Sequence, residues 1–215
     1  MSAVFSLLES ESNLLASCAN KRLIVYAGTL ESYQGIDVLI GAFKYVVDAE
    51  SDTVLLVVGG TQEQVKYYSG MARECGIGPN CIFTGRVPQA TAKHYASRAD
   101  LQISSRVSGT NTPLKVYEQL SRPIPLVATN IYSHTQVLNE DVAFLVEPTA
   151  EDMARGILEA LKPDGDGKRR TTNAQQLYER KYSRKVYTEK MRKLLNYVTR
   201  SSDDETCTVF AAASK

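Results

Sequence analysis

Residues 23–43 read LIVYAGTLESYQGIDVLIGAF. Five apolar residues stop at Gly28, a polar loop runs to Gly35, and an amphipathic stretch follows. The apolar run predicts a buried strand. Residues 36–47 predict a helix, because Val38, Leu39, Ala42, Phe43 and Val46 fall on one helical face. The same pair recurs along the chain. Strands are expected at 54–58 (VLLVV), 81–83, 101–103, 125–128 and 142–146, and helices at 62–74, 89–97, 113–120, 133–138 and 150–161. Gly76 is placed to cap the second helix, and Pro113 to open the fourth. Residues 163–170 (PDGDGKRR) predict a turn-rich loop and 173–198 a long closing helix. Short strands alternating with longer helices give a parallel sheet covered on both faces. With right-handed crossovers this is a doubly wound, Rossmann-like α/β domain of about six strands.

Composition narrows the function. Lys and Arg number 25 against 24 Asp and Glu, a net charge of +1. A nucleic-acid binder carries a basic excess and a disordered acidic chain the opposite, so both classes are excluded. Cys18, Cys75, Cys81 and Cys207 form no CxxC pair and have no His at ligand spacing, which argues against structural zinc. Cys75 and Cys81 are near enough to pair, but the rest of the chain reads as a protein of a reducing compartment. No run approaches the ~20 apolar residues a bilayer crossing requires. Residues 1–15 carry Glu9 and Glu11 without a basic start, so they do not form a secretory signal. A cytoplasmic protein is expected, with contact at the inner face of the membrane left open.

In open parallel sheets ligands bind beyond the carboxyl ends of the strands. Glycines at both ends of 28–35 permit a tight turn ahead of a helix N-terminus, a seat for phosphate. The same spacing also suits an ordinary βα turn. In 104–115 (SSRVSGTNTPLK), Gly109, Thr110, Asn111 and Thr112 offer amides and hydroxyls that wrap an anion, and Arg106 offers bidentate phosphate contacts. Thr112 equally serves as a plain N-cap. Glu118 in the following helix suits a ribose diol, or is a solvated helical carboxylate. His134 and His94 are the two histidines, and a lone His is more often structural than catalytic. No Ser/His/Asp order, paired carboxylates or metal cluster is visible, so no catalytic residue is assigned.

Taken together, the blocks YAGTLESYQGIDVLIGAF, LLVVGG, IFTGRVP with HYASRADLQIS, SSRVSGTNTPLKVYEQL leading to PLVATNIYSHTQVL, and AFLVEPTAEDMARGI occur in order between about Arg22 and Tyr197. They resemble the C-terminal, donor-binding domain of GT-B retaining glycosyltransferases of the family-4, group 1 type. The resemblance implies a UDP- or GDP-sugar donor, transfer to an acceptor hydroxyl with retention, and no metal or other cofactor. It implies that Gly28 to Gly35 approach the diphosphate, that the backbone at Arg86 and Val87 flanks the base, and that Gly109 to Thr112 lie near sugar and diphosphate. Glu118 matches the second glutamate of the family's E-x7-E motif, which contacts ribose. The first glutamate falls at Thr110. The family's diphosphate-binding Arg and Lys are replaced by Thr29 and Gln34, and Arg106 or Lys115 are the candidates to supply the missing charge. Pro123 stands where a glycine usually ends the helix.

The resemblance divides the chain into a linker or short helix (1–20), a nucleotide-sugar-binding domain (21–200) and a disordered tail (201–215). The acceptor-binding N-terminal domain has no counterpart, so it is expected as a separate or missing partner. An inactive sugar-nucleotide-binding or regulatory module is the alternative, and half of a sugar-nucleotide epimerase a weaker third.

Overall fold

The computed structural model describes residues 14–212, with side chains described as far as Thr199. The chain divides into two compact units, the first ending at Gln175 and the second starting at Gln176. The first holds six parallel strands: β1 (Arg22–Ala27), β2 (Thr53–Val58), β3 (Cys81–Gly85), β4 (Leu101–Ser104), β5 (Leu126–Thr129) and β6 (Phe144–Val146). Their order is β3-β2-β1-β4-β5-β6. This is the expected Rossmann-like arrangement. Chain order reverses between the neighbours β1 and β4, and ligands of open α/β sheets bind beyond the strand ends at such a switch point.

Both sheet faces are buried, which explains why the strands read as continuous apolar runs rather than alternating ones. In β1, Ile24 and Tyr26 face one core with Leu55, Val57, Leu101 and Ile103. Leu23 and Val25 face the other with Val54, Leu56 and Val58. Helices α1 (Ile36–Ala49), α2 (Gln62–Glu74) and α6 (Ala150–Ala160) cover the first face through Phe43, Ala72 and Ile157. Helix α3 (Gln89–Ser97) covers the second through Tyr95 and Ala96. Cys18, Leu14 and Leu15 join that second core, so the end of the expected 1–20 linker is packed into the fold. Residues 1–13 lie outside the described ones.

Several boundaries differ from the pattern. Helix α4 is Leu114–Leu120, with Pro113 as its N-cap residue rather than in its first turn. Thr112 is therefore one residue too far out to be the N-cap, and no side chain caps this helix. Helix α5 shrinks to Tyr132–Thr135. The loop expected at 163–170 is already helical from Gly167, where α7 (Gly167–Lys181) begins. The single helix expected at 173–198 is two, with α8 spanning Arg184–Ala212 and its backbone continuing through most of the expected tail. Residues 213–215 lie outside the described ones.

Gly76 does end α2, in a left-handed conformation (φ 78°). Helix α4 closes at Ser121 in right-handed geometry, so Pro123 follows a different turn, as expected. Cys18, Cys75 and Cys81 are free thiols. Burial pushes the Cys81 thiol up to about 12, so it stays protonated at neutral pH. Among the described residues no helix is long and apolar enough to cross a membrane.

Candidate functional site

The crevice at the switch point is built by three loops that the sheet brings together. The loop after β1 is stitched to the loop after β4: Ser105 Oγ donates to the Gln34 carbonyl at 2.8 Å, and the Val107 amide donates to the Tyr33 carbonyl at 2.9 Å. Gly35 (φ 65°) is required at this seam. A Cβ there would stand 2.3 Å from the Ser105 carbonyl oxygen. The loop after β5 joins through Thr129, whose hydroxyl bonds to the Arg106 carbonyl.

His134 locks the third loop from below. Its Nδ1 lies 2.9 Å from the Thr129 carbonyl and its Nε2 lies 2.9 Å from Ser104 Oγ. A carbonyl only accepts, so Nδ1 carries the proton and Nε2 accepts from Ser104. The ring is fully buried. Burial, helped by Lys115 and Arg106, pulls its proton affinity down to about 4 against the opposing hydrogen bond to Thr129. His134 is thus a neutral structural residue.

The expected anion-binding side chains divide into two groups. Arg106 is engaged in its own loop: Nε donates to the Ser108 carbonyl at 2.7 Å, Nη1 to the Asn111 carbonyl at 3.0 Å, and the guanidinium sits 5.0 Å from the Tyr33 ring centre. It shapes the segment that carries Gly109, Thr110, Asn111 and Thr112. Thr110 is also held from the third loop, by Gln136 Nε2 on its carbonyl at 2.6 Å. Lys115 behaves otherwise. Its amine has no hydrogen-bond partner, is fully enclosed, and lies 4.1 Å from the Tyr26 ring centre. A Cβ on Gly28 would stand 3.4 Å from that amine and 3.0 Å from Tyr26 Oη. Gly28 is thus the close neighbour of both groups, and a side chain there would press on them.

Thr29 and Gln34, which stand where cations were expected, bind each other instead, Gln34 Nε2 donating to Thr29 Oγ1 at 3.4 Å. Tyr26 Oη donates to the Thr29 carbonyl at 2.7 Å. Gln34 Oε1 is buried without a partner.

Beside Gly28 opens a cavity of about 400 Å³ lined by Gly28, Lys93, Leu114, Lys115, Glu118 and Arg122 among others. Glu118 is half-exposed at its wall, with Lys93 at 3.2 Å and Arg122 at 3.6 Å on separate carboxylate oxygens. Each oxygen keeps a free lone pair for a further donor. The helix that presents Glu118 is anchored to β4 by buried amides. Gln119 Nε2 donates to the Ile103 carbonyl at 3.2 Å, and Arg122 Nη1 donates to Gln102 Oε1 at 3.1 Å. Gln102, Gln119, Lys93 and Arg122 were not singled out in the sequence, since amides in a strand and cations on helices carry no local signal. Arg86 and Val87 are not brought to this cavity. Arg86 is exposed and lines a neighbouring hollow with Gly60 and Thr61, while Val87 packs on the second core.

Comparison with known proteins gives the family and the fold. The family model for glycosyl transferases group 1 matches residues 10–177. The chain is 25% identical over 125 residues to the phosphatidyl-myo-inositol mannosyltransferase of Mycobacterium leprae, covering 58% of this chain and 32% of that protein. Its fold superposes on Anabaena HepE in complex with UDP (TM-score 0.76, 16% identity, 87% of this chain and 52% of HepE). It also superposes on the C-terminal domain of the group 1 protein LpcC from Francisella tularensis (TM-score 0.66, 15% identity, 76% of this chain and 87% of that domain). The chain spans about a third of the length of the curated relatives it matches. The sheet order, the flanking helices and the matched span agree: the chain belongs to the glycosyl transferases group 1 family, with the Rossmann-like α/β fold of its GT-B members.

Proposed function

We propose that this chain is the donor-binding half of a retaining glycosyltransferase. It takes a UDP- or GDP-sugar, and the sugar passes to an acceptor hydroxyl held by a second, acceptor-binding half. The carrying observation is the unpartnered Lys115 amine beside Gly28, at the strand ends by the β1–β4 switch point. A buried cation without a counter-charge is costly, and an anion at the mouth of the crevice relieves that cost. UDP, the ligand of the HepE complex, has this chemistry. Glu118 at the cavity wall supplies acceptors for a ribose diol. Tyr33 in the loop after β1, Leu114 at the start of α4 and Tyr132 at the start of α5 stand exposed, and these apolar side chains favour a second half closing on this side. The place of action is proposed as the cytoplasm or the inner face of the membrane.

The ribose assignment has its own test. Glu118→Ala is expected to weaken UDP about tenfold, roughly 1.4 kcal/mol, while inorganic diphosphate binds no more weakly. That substitution leaves Lys93 and Arg122 without their shared carboxylate, so an anion without ribose gains rather than loses. Unchanged UDP affinity in calorimetry would remove Glu118 from the site.

One observation favours a second reading, a module that binds a partner without transferring sugar. Thr29 and Gln34 spend their polar atoms on each other where a transferase needs charge against the leaving diphosphate. Saturable micromolar binding of a sugar nucleotide decides against that reading.

A further inference from the structure

We propose that Lys115 supplies the positive charge that the first loop lacks at Thr29 and Gln34, and that its amine takes up a proton from solvent as a diphosphate settles over Gly28. This rests on the donor-binding reading above and adds to it a proton that travels with the ligand.

The geometry makes the amine both close to the crevice and poorly supported as a cation. The amine sits over the Tyr26 ring, 4.1 Å from its centre. Such a contact favours an ammonium only modestly. The groups facing it from every side give no counter-charge. From β1, the Tyr26 phenol is held protonated by burial. From the β4 loop the Arg106 guanidinium repels, with the Tyr33 phenol against it. From α5 comes neutral His134. On its own helix, Glu118 is turned to Lys93 and Arg122. Burial first, and Arg106 second, bring Lys115 down to about 7. In the free protein near neutrality the amine is therefore divided between its two forms.

A sugar nucleotide carries two negative charges on its diphosphate and has no proton to gain or lose near pH 7. Placed over Gly28 it raises the affinity of the amine for a proton, R–NH₂ + H⁺ → R–NH₃⁺, with the proton drawn from the buffer. The sign follows. Below pH 7 the ammonium already exists and the ligand binds without uptake. Above pH 7 binding must recruit the proton, so affinity falls as pH rises, until the pH passes the raised value in the complex.

The test is calorimetric titration of UDP-glucose and GDP-mannose into the full 215-residue chain at pH 6.5 and 8.5, the latter in two buffers of different ionisation enthalpy. The wild type is expected to bind roughly twentyfold more weakly at pH 8.5 and to take up about one proton there. Lys115→Arg keeps a permanent charge, so it should bind with neither uptake nor pH dependence. Lys115→Met should lose about tenfold or more at pH 6.5, with its unfolding temperature measured alongside. Wild-type binding without proton uptake and with a flat pH profile would overturn the proposal, and so would Lys115→Met matching the wild type at pH 6.5. Those results would leave the donor-binding reading standing. Failure of both sugar nucleotides to bind at either pH would overturn that reading and this one together.

Discussion

Gly59→Ala is expected to destabilise the fold by about 3 kcal/mol or more. Gly59 has φ 121°, where an L residue is strained, and a Cβ there would stand 2.0 Å from the Gly28 carbonyl oxygen. Neither side is free to retreat. The Gly28 amide donates to the Val58 carbonyl at 3.0 Å and the Gly59 amide to the Gly85 carbonyl at 3.0 Å, so both peptides are tied into the sheet. Relief has to come from shifting the β1 loop, the same backbone that covers the Lys115 amine. The variant should therefore lose about 6–12 °C of unfolding temperature and lose ligand affinity with it. Gly70→Ala is the control, because a Cβ inside α2 meets only the end of Arg73 at 3.9 Å. It should leave the unfolding temperature unchanged or slightly raised. Equal melting of Gly59→Ala and wild type would show that the β1 and β2 loops are not in the contact described.

The second large effect is a loss of stability in mild acid, carried by His134. Its folded proton affinity is lowered to about 4 from an ordinary value of 6.5. Unfolding thus binds a proton throughout the window between those two values. Above pH 6.5 the group is neutral in both states and adds no pH dependence. As pH falls from 6.5 toward 4 the unfolded chain is favoured, by about 3 kcal/mol in all. Carboxylates titrate in the same range, so the measurement is a difference. Urea unfolding of wild type and His134→Gln is followed from pH 7 to 4. The variant should start lower at pH 7, by about 1–3 kcal/mol for the hydrogen bonds lost to Ser104 and Thr129. It should then lose less stability than the wild type as the acid is added. Parallel curves would mean that His134 is charged or exposed in the folded protein.

The sheet was legible because its strands are buried on both faces. Runs such as 54–58 have no other use in a chain of this composition, and each is closed by glycine or a turn. What escaped was local. The break between α7 and α8 carries neither glycine nor proline. It is made when the Tyr182 and Ser183 amides both turn to the Tyr178 carbonyl, at 2.8 and 2.9 Å, and nothing in the residue types announces that. Pro113 was placed one residue too far into its helix because its fixed φ, here −64°, fits an extended N-cap residue (ψ 133°) as well as the first turn.

In the crevice, Gly28 and Gly35 were legible as glycines of a loop that follows a strand, and Glu118 as a carboxylate in the helix after the β4 loop. The contrast between Arg106 and Lys115 was not. Both are cations of one segment, and only the folded arrangement spends Arg106 on the Ser108 and Asn111 carbonyls and leaves the Lys115 amine under Gly28 unpaired. Burial and partnership belong to the tertiary structure, so a sequence names the candidates without ranking them.

On the proposed function, the crevice beside Gly28 at the β1–β4 switch point holds a nucleoside diphosphate sugar. Calorimetric titration of the purified chain with UDP, GDP and their glucose and mannose conjugates tests it most directly. One saturable site for one base is expected, with the sugar conjugate and the free nucleoside diphosphate competing for it, and with its affinity lost in Lys115→Met. Absence of heat and of competition for every one of these ligands, from a chain shown to be folded, would contradict it.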